Sequence, residues 1–243
     1  MFKKTKIIQY GEWFSIDETL SCCSCRTKFI QNIPRKPAGK GILSYCLCKP
    51  NVPYVFNIMF YRGKSIKGAT NIGSKIFKKI VDDNIDIFSK CTNVTLFMDS
   101  FFSNVQLGFI LESMGINFVS TIIGKRKYVP DVVRSFEDME NGEVRCFKMF
   151  GSEMKFIQIK DKTHDTTLLT NDRNINEVVK VYRRSNFSNC DFYEKEITFS
   201  QHKYRHGMCG VDIFNRGCSM VNVRRRTPRW TVLILKYLLM PLW

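Results

Sequence analysis

The stretch NVTLFMDSFFS (residues 93–103) contains an apolar, strand-like run that leads directly into Asp99. The stretch WFSIDE (13–18) repeats the pattern and leads into Asp17. Acids are poor strand residues, and an acid at a strand end lies at the rim of a sheet, where functional sites collect. Either acid alone is also explained as an ordinary turn or cap residue.

A third acid, Asp212, follows Gly210 and Val211 in a segment that is otherwise basic and apolar. Three carboxylates brought together repel one another, and a divalent cation relieves that repulsion. Mg²⁺ accepts a few carboxylates and leaves positions open for phosphate oxygens. Two such ions stabilise the attacking and leaving oxygens in phosphodiester chemistry. These acids in a basic chain therefore fit DNA cutting.

The first half of the chain alternates between strand-like and helix-like patterns, which favours a layered α/β domain. The predicted strands are 7–16, ending at Asp17, and 42–48, 54–61, 93–98 and 117–123. The predicted helices are 74–89 and 104–114. The first has one apolar face, made of Phe77, Ile80, Val81, Ile85 and Phe88. Asn104 caps the second, and Gly115 suits its end.

Short strands are predicted from about residue 125 to 200, at 144–150, 154–160 and 166–170. This β-rich stretch is either an inserted subdomain or a continuation of the sheet. Helices return after residue 200, with Asp212 near the start of one and a last helix at 230–239. The C-terminal segment WTVLILKYLLMPLW (230–243) is too short for a membrane span and contains Lys236, so we expect a buried helix there.

The charge of the chain favours a polyanionic partner. Its formal net charge is +16, and residues 19–81 contain twelve Lys or Arg but no Asp or Glu. A second basic cluster, RRRTPR, occupies residues 224–229. Such an excess suits binding to nucleic acid or to an anionic membrane surface. The alternative is that these basic residues only form a solvated surface that aids solubility.

The ten cysteines are expected to be reduced, because the N-terminus MFKKTKIIQYGEW lacks a secretory signal pattern. Cys22 and Cys25 form a C-x-x-C, and His202, His206 and Cys209 have a loosely metal-like spacing. Neither set has a matching second pair at zinc-finger spacing, so both are weak zinc signals.

Several segments, in order, resemble the piggyBac-like transposases. FSIDE (14–18) and NVTLFMDSFFS (93–103) resemble the segments of the first and second Asp. NIPRKP (32–37) resembles the Y-x-P-x-K-P stretch, with Asn32 in place of tyrosine. The other matches are GKGI (39–42), YVFNIMFYRG (54–63), HGMCGVD (206–212), which resembles the third-Asp segment, and RRTPRW (225–230).

The resemblance implies that residues 1–243 form a catalytic core with an RNase H-like mixed sheet flanked by helices, and with the β-rich insertion between the second and third Asp. It implies cut-and-paste cleavage and strand transfer at transposon ends. Asp17, Asp99 and Asp212 would hold two Mg²⁺ or Mn²⁺ ions. The implied partner is DNA, with no membrane, the implied state of the full-length protein is a homodimer, and the implied location is the nucleus. The expected phosphate contacts are Arg224, Arg225, Arg226, Arg229, Lys36 and Lys40.

Departures from the family pattern leave a second hypothesis open. Asn215 stands where the family often has another acid, Cys209 replaces a glycine, and Ser100 replaces an asparagine. The family's flanking N-terminal region and C-terminal cysteine-rich domain are expected to be absent, so we expect no complete transposition from this chain alone. The alternative is a domesticated or decayed remnant that binds DNA or protein without cutting.

Overall fold

The computed structural model describes residues 13–23, 26–61, 63, 72–172, 178–184 and 192–220. The chain forms two units: the first comprises Met1–Ser103 with Gly207–Trp243, and the second comprises Asn104–His206. No helix within the described residues is long and apolar enough to cross a membrane. The helix predicted at 230–239 and the cluster 224–229 lie outside the described residues.

The first unit is built on a mixed sheet. Its strands are β1 (Trp13–Cys22), β2 (Ile30–Asn32), β3 (Lys40–Cys48), β4 (Val55–Phe60) and β5 (Thr95–Met98). β3 pairs antiparallel with β1, β2 and β4, whereas β1 pairs parallel with β5. β1 is therefore a central strand, with β3 on one side and β5 on the other.

The prediction that the first strand ends at Asp17 is wrong, because β1 continues to Cys22. Its pairing with β3 runs without interruption from Ser15 opposite Cys48 to Cys22 opposite Gly41. Tertiary pairing therefore overrides the poor strand propensity of Asp17 and Glu18. Residues 7–12 of the predicted strand lie outside the described part of the chain.

The helix predicted at 74–89 is two helices, α1 (Ile72–Asp83) and α2 (Ile85–Phe88). They are separated at Asn84, whose side-chain amide donates a hydrogen bond to the carbonyl of Ile80 at 2.7 Å. Asparagine competes for backbone hydrogen bonds and so favours helix ends. Four residues of the predicted apolar face, Phe77, Ile80, Val81 and Phe88, are buried, whereas Ile85 is exposed after the break.

The second unit contains a four-stranded antiparallel sheet and a separate two-stranded sheet. Its elements are α3 (Val105–Ser113), β6 (Asn117–Thr121), β7 (Val144–Lys148), β8 (Lys155–Ile159), β9 (Thr166–Thr170), β10 (Val178–Arg184), β11 (Phe192–Thr198) and α4 (Phe199–Met208), of which Gly207 and Met208 are assigned to the first unit. The strand order is β6-β9-β8-β7, and β10 pairs with β11 alone. Within this unit, β7, β8 and β9 of the β-rich stretch thus extend the sheet that contains β6, whereas β10 and β11 form a separate sheet.

The predicted ends of α3 are confirmed. The side chain of Asn104 accepts a hydrogen bond from the backbone N–H of Leu107 at 2.7 Å, as a helix cap does. Gly115 follows the helix with a φ of +68°, a left-handed conformation that glycine adopts without strain.

The last described helix is α5 (Gly210–Met220), in the first unit. Val211, Phe214 and Cys218 are buried on one side of it and pack against Cys46, Cys48 and Val55. Asp212 lies in its first turn, as the sequence predicts.

Candidate active site

Asp17 and Asp99 lie side by side on neighbouring parallel strands. β1 and β5 are in register with Ile16 opposite Met98, so the next residue on each strand is one of the two acids. Asp99 directly follows the end of β5. The charge of Asp99 acts on Asp17, which shows that the two carboxylates are close to each other. The structure therefore brings two of the three predicted carboxylates together.

The two carboxylates resist ionisation. Burial, with the negative charges of Asp99 and Glu18, raises the pKa of Asp17 to about 7, although the backbone N–H of Glu18 donates a hydrogen bond to it at 2.7 Å. Burial also raises the pKa of Asp99, aided by the charge of Glu18 and opposed by the backbone N–H of Phe101 at 2.9 Å. A cation placed between them would favour the ionised form of both.

Lys36 supplies a positive charge beside this pair. Its ammonium forms an ion pair with Glu18 at 2.9 Å. Burial lowers the pKa of Lys36, but the hydrogen bond that its ammonium donates to Glu18 and the charges of Glu18, Asp17 and Asp99 outweigh burial and raise it. Lys36 is therefore held as a cation next to both acids. Lys40, at the start of β3, is exposed.

The third predicted acid, Asp212, is exposed on α5. This helix covers the face of the sheet that carries Asp17, because Asp17 is opposite Cys46, and Cys46 packs against α5. The helix comes very close to β1 at Gly210, where an added Cβ would lie 2.3 Å from Oγ of Ser15. Further along, the hydroxyl of Thr19 donates a hydrogen bond to the side-chain oxygen of Asn215.

A second glycine allows another close approach in the same unit. A Cβ added at Gly207, near the end of α4, would lie 2.3–2.4 Å from three ring carbons of Phe97. The ring of Phe97 is fully buried, and Phe97 is two residues before Asp99. The backbone at Gly207 therefore lies directly against the strand that leads to Asp99.

No group of three or more His, Cys, Asp or Glu side chains within the described residues is arranged to hold a metal ion. The three-carboxylate site therefore stays a prediction, of which the structure assembles the Asp17–Asp99 pair. The oxygen donors of this pair are the kind that Mg²⁺ and Mn²⁺ prefer. Two other sets of residues are weak zinc signals in the sequence. In the first, the rings of His202 and His206 lie 4.3 Å apart. In the second, Cys22 is exposed and Cys25 is outside the described residues.

Sequence reasoning missed Glu18 and Thr19 as parts of this region. The available signal was the polar alternation of Ser15, Asp17 and Thr19, which places three polar residues on one face of a strand. A strand that ends at Asp17, as the sequence predicts, leaves Thr19 outside this face.

The chain therefore has an RNase H-like α/β core, with Asp17 on one of two neighbouring parallel strands and Asp99 directly after the other. The family described as Transposase IS4 matches residues 3–241, and the chain belongs to this family. The chain is also similar, at 20% identity and a TM-score of 0.73, to a piggyBac transposase solved by cryo-electron microscopy in a synaptic complex with hairpin DNA. The predicted family and fold class are confirmed.

That similarity covers 95% of this chain and 46% of the solved one, so the chain spans about half the length of this relative. No curated protein matches the chain.

Proposed function

We propose that this chain is the catalytic core of a cut-and-paste DNA transposase that cleaves phosphodiesters and transfers DNA strands at transposon ends. The observation that carries the proposal is the Asp17–Asp99 pair, two half-buried carboxylates held side by side with raised pKa values. Such a pair is unfavourable without a cation and favourable with one. Family membership supports the same conclusion.

Asp17 and Asp99 would hold the divalent ions, with Asp212 completing the ligand set from α5. When bound, two Mg²⁺ or Mn²⁺ ions would stabilise the attacking and leaving oxygens of the displacement. The ammonium of Lys36, already beside both acids, is suited to hold a phosphate oxygen of the DNA strand. Glu18 keeps that ammonium in place through the ion pair.

The proposed partner is DNA. The net charge of +16 and the acid-free stretch 19–81 provide the electrostatic attraction, and Lys40, Arg224, Arg225, Arg226 and Arg229 would contact phosphates. The piggyBac transposase of similar fold was solved with hairpin DNA. We infer that the full-length protein acts as a homodimer in the nucleus, because the family resemblance implies both.

A non-cutting remnant is the second candidate, and Asn215 is the observation that favours it. Where the family often has an acid, this chain has a half-buried amide hydrogen-bonded to Thr19. The amide contributes no negative charge to a metal site. The remnant would bind DNA through its basic residues and would leave phosphodiesters intact.

A plasmid assay separates the two candidates. Incubated with supercoiled plasmid, the chain is expected to produce slow, Mg²⁺- or Mn²⁺-dependent nicking, and none in the presence of a chelator, because the acid pair needs a cation to act. The conversion of supercoiled to nicked DNA is measured on a gel. DNA binding without any nicking in Mn²⁺ would favour the remnant.

Binding of the chain to duplex DNA is expected to weaken steeply with salt, because each neutralised phosphate contributes about −0.9 to the slope of log K against log salt. Lys40→Ala is expected to make that slope shallower by about 0.9. The matched control is Lys79→Ala, since Lys79 lies in the same acid-free stretch but is paired with Asp83 at 3.2 Å. Fluorescence anisotropy at several salt concentrations gives the slopes. A salt-independent affinity would contradict the proposed interface.

A further inference from the structure

Two contacts hold α5 on β1, one on each side of Asp17 along the strand. At Gly210 the helix backbone lies against the side chain of Ser15. At Asn215 the helix accepts a hydrogen bond from Thr19. Ser15, Asp17 and Thr19 alternate along β1 and so share one face. The helix therefore passes over Asp17 between its two contacts.

Asp212 lies on the flank of α5 that also carries Asn215. In an α-helix, residues three apart are separated by about 60° around the axis. Val211, Phe214 and Cys218 face the cluster with β3, and Asn215 contacts β1. Around the helix axis, Asn215 lies between this apolar face and Asp212. The side of the helix that carries Asp212 is therefore directed away from β3, toward the side of β1 on which β5 and Asp99 lie.

We propose that the Thr19–Asn215 hydrogen bond is a positioning device that sets the rotation of α5 and directs Asp212 toward Asp17 and Asp99. Asn215 is then a positioning residue rather than a metal ligand. The inference rests on the proposed function, because it assigns Asp212 to the metal site of that function.

The apolar packing of α5 does not by itself define this rotation. Contacts among Val211, Phe214, Cys218 and their partners are non-directional. A hydrogen bond is directional. Thr19 is buried, with 3% of its surface exposed, so rotation of the helix would leave its hydroxyl without a partner, which is unfavourable.

The test measures Mn²⁺ affinity of the intact chain by calorimetry, in wild type, Thr19→Val, Thr19→Ser and Asn215→Leu. Thr19→Val and Asn215→Leu each remove the hydrogen bond, and each is expected to weaken Mn²⁺ binding about 10–100-fold, the range seen when outer-shell partners are lost. Thr19→Ser keeps the hydroxyl and is expected to bind Mn²⁺ as wild type does. Thermal melting in chelator shows whether each variant is folded.

The variant Asp212→Asn distinguishes a positioning role of Thr19 from a purely structural one. If Thr19 acts through Asp212, Thr19→Val adds no further loss of Mn²⁺ affinity to Asp212→Asn, because coupled sites are non-additive. Additive losses, or unchanged Mn²⁺ affinity in Thr19→Val and Asn215→Leu, overturn the inference and leave the proposed function standing. A wild-type chain that binds no Mn²⁺ overturns both.

Discussion

Replacing Asp17 by asparagine is expected to abolish metal-dependent cleavage and, in the same variant, to stabilise the metal-free protein at pH 8. Cleavage should fall on the order of 10³-fold or more, since metal ligands supply several kcal/mol at about 1.4 kcal/mol per tenfold. Asp99→Asn should abolish cleavage as well. Plasmid nicking in Mn²⁺ measures this part of the prediction.

The stability gain follows from the raised pKa of Asp17. Its folded-state pKa is about 7, against an ordinary value of 3.8. The stability that protonated Asp17 provides is fully present below pH 3.8 and is lost as the pH rises through about 7. At pH 8 the wild type therefore carries a half-buried, ionised carboxylate that Asp17→Asn lacks, a difference of about 2–4 kcal/mol at 1.4 kcal/mol per pKa unit, after allowing for partial solvent access.

Thermal melts in chelator from pH 4 to pH 8 show whether Asp17→Asn is more or less stable than wild type. The difference between Asp17→Asn and wild type should grow across this range and shrink when Mg²⁺ is added to the wild type at pH 8. The control is Asp82→Asn, an exposed acid on α1 that pairs with Lys78 at 2.8 Å, which should leave nicking and the pH profile unchanged. An Asp17→Asn protein that is less stable than wild type at pH 8 would contradict the assignment.

Replacing Gly207 by alanine is expected to destabilise the protein strongly, although alanine is the better helix residue by about 1 kcal/mol. The new methyl group would lie 2.3–2.4 Å from ring carbons of Phe97, a ring with no exposed surface. Overpacking of a well-packed site costs about 1–3 kcal/mol, and this contact belongs at the upper end. Three kcal/mol corresponds to a melting temperature lower by about 6–12 °C in a chain of this size.

The melting temperature of Gly207→Ala is compared with that of Gly124→Ala, where an added Cβ meets Arg134 at 3.5–3.7 Å, an ordinary contact. Phe97→Leu, which shortens the opposing side chain, should recover part of the loss when combined with Gly207→Ala. Equal melting temperatures for Gly207→Ala and wild type would show that the backbone at Gly207 does not lie against Phe97 in solution.

The elements that sequence reasoning located well are those whose signals are local. The cap of α3 at Asn104, the glycine at 115 and the short apolar run before Asp99 depend on neighbours within a few residues. The extension of β1 past Asp17 depends on pairing with β3, which a local pattern does not contain.

The same reason explains what was missed at the candidate site. The acid-free stretch 19–81 begins one residue after Glu18, and the acid that pairs with Lys36 is Glu18. The partner of Thr19 is 196 residues away along the chain. The three candidate acids could be proposed from the sequence because each follows a recognisable segment, but the contacts around them join segments that are distant in sequence.

The separation of Thr19 and Asn215 has a consequence for the order of folding during synthesis. The first unit is discontinuous: Met1–Ser103 is made first, and Gly207–Trp243 follows only after all of Asn104–His206. At about 5–20 residues per second, β1, β3 and β5 emerge on the order of 5–20 s before α5. The strands that hold Asp17 and Asp99 can pair in that interval. The helix that carries Asp212 is made later, and its contact with Thr19 joins residues 196 positions apart, so the Asp17–Asp99 pair of a nascent chain stays uncovered by α5 until Gly210–Met220 has left the ribosome.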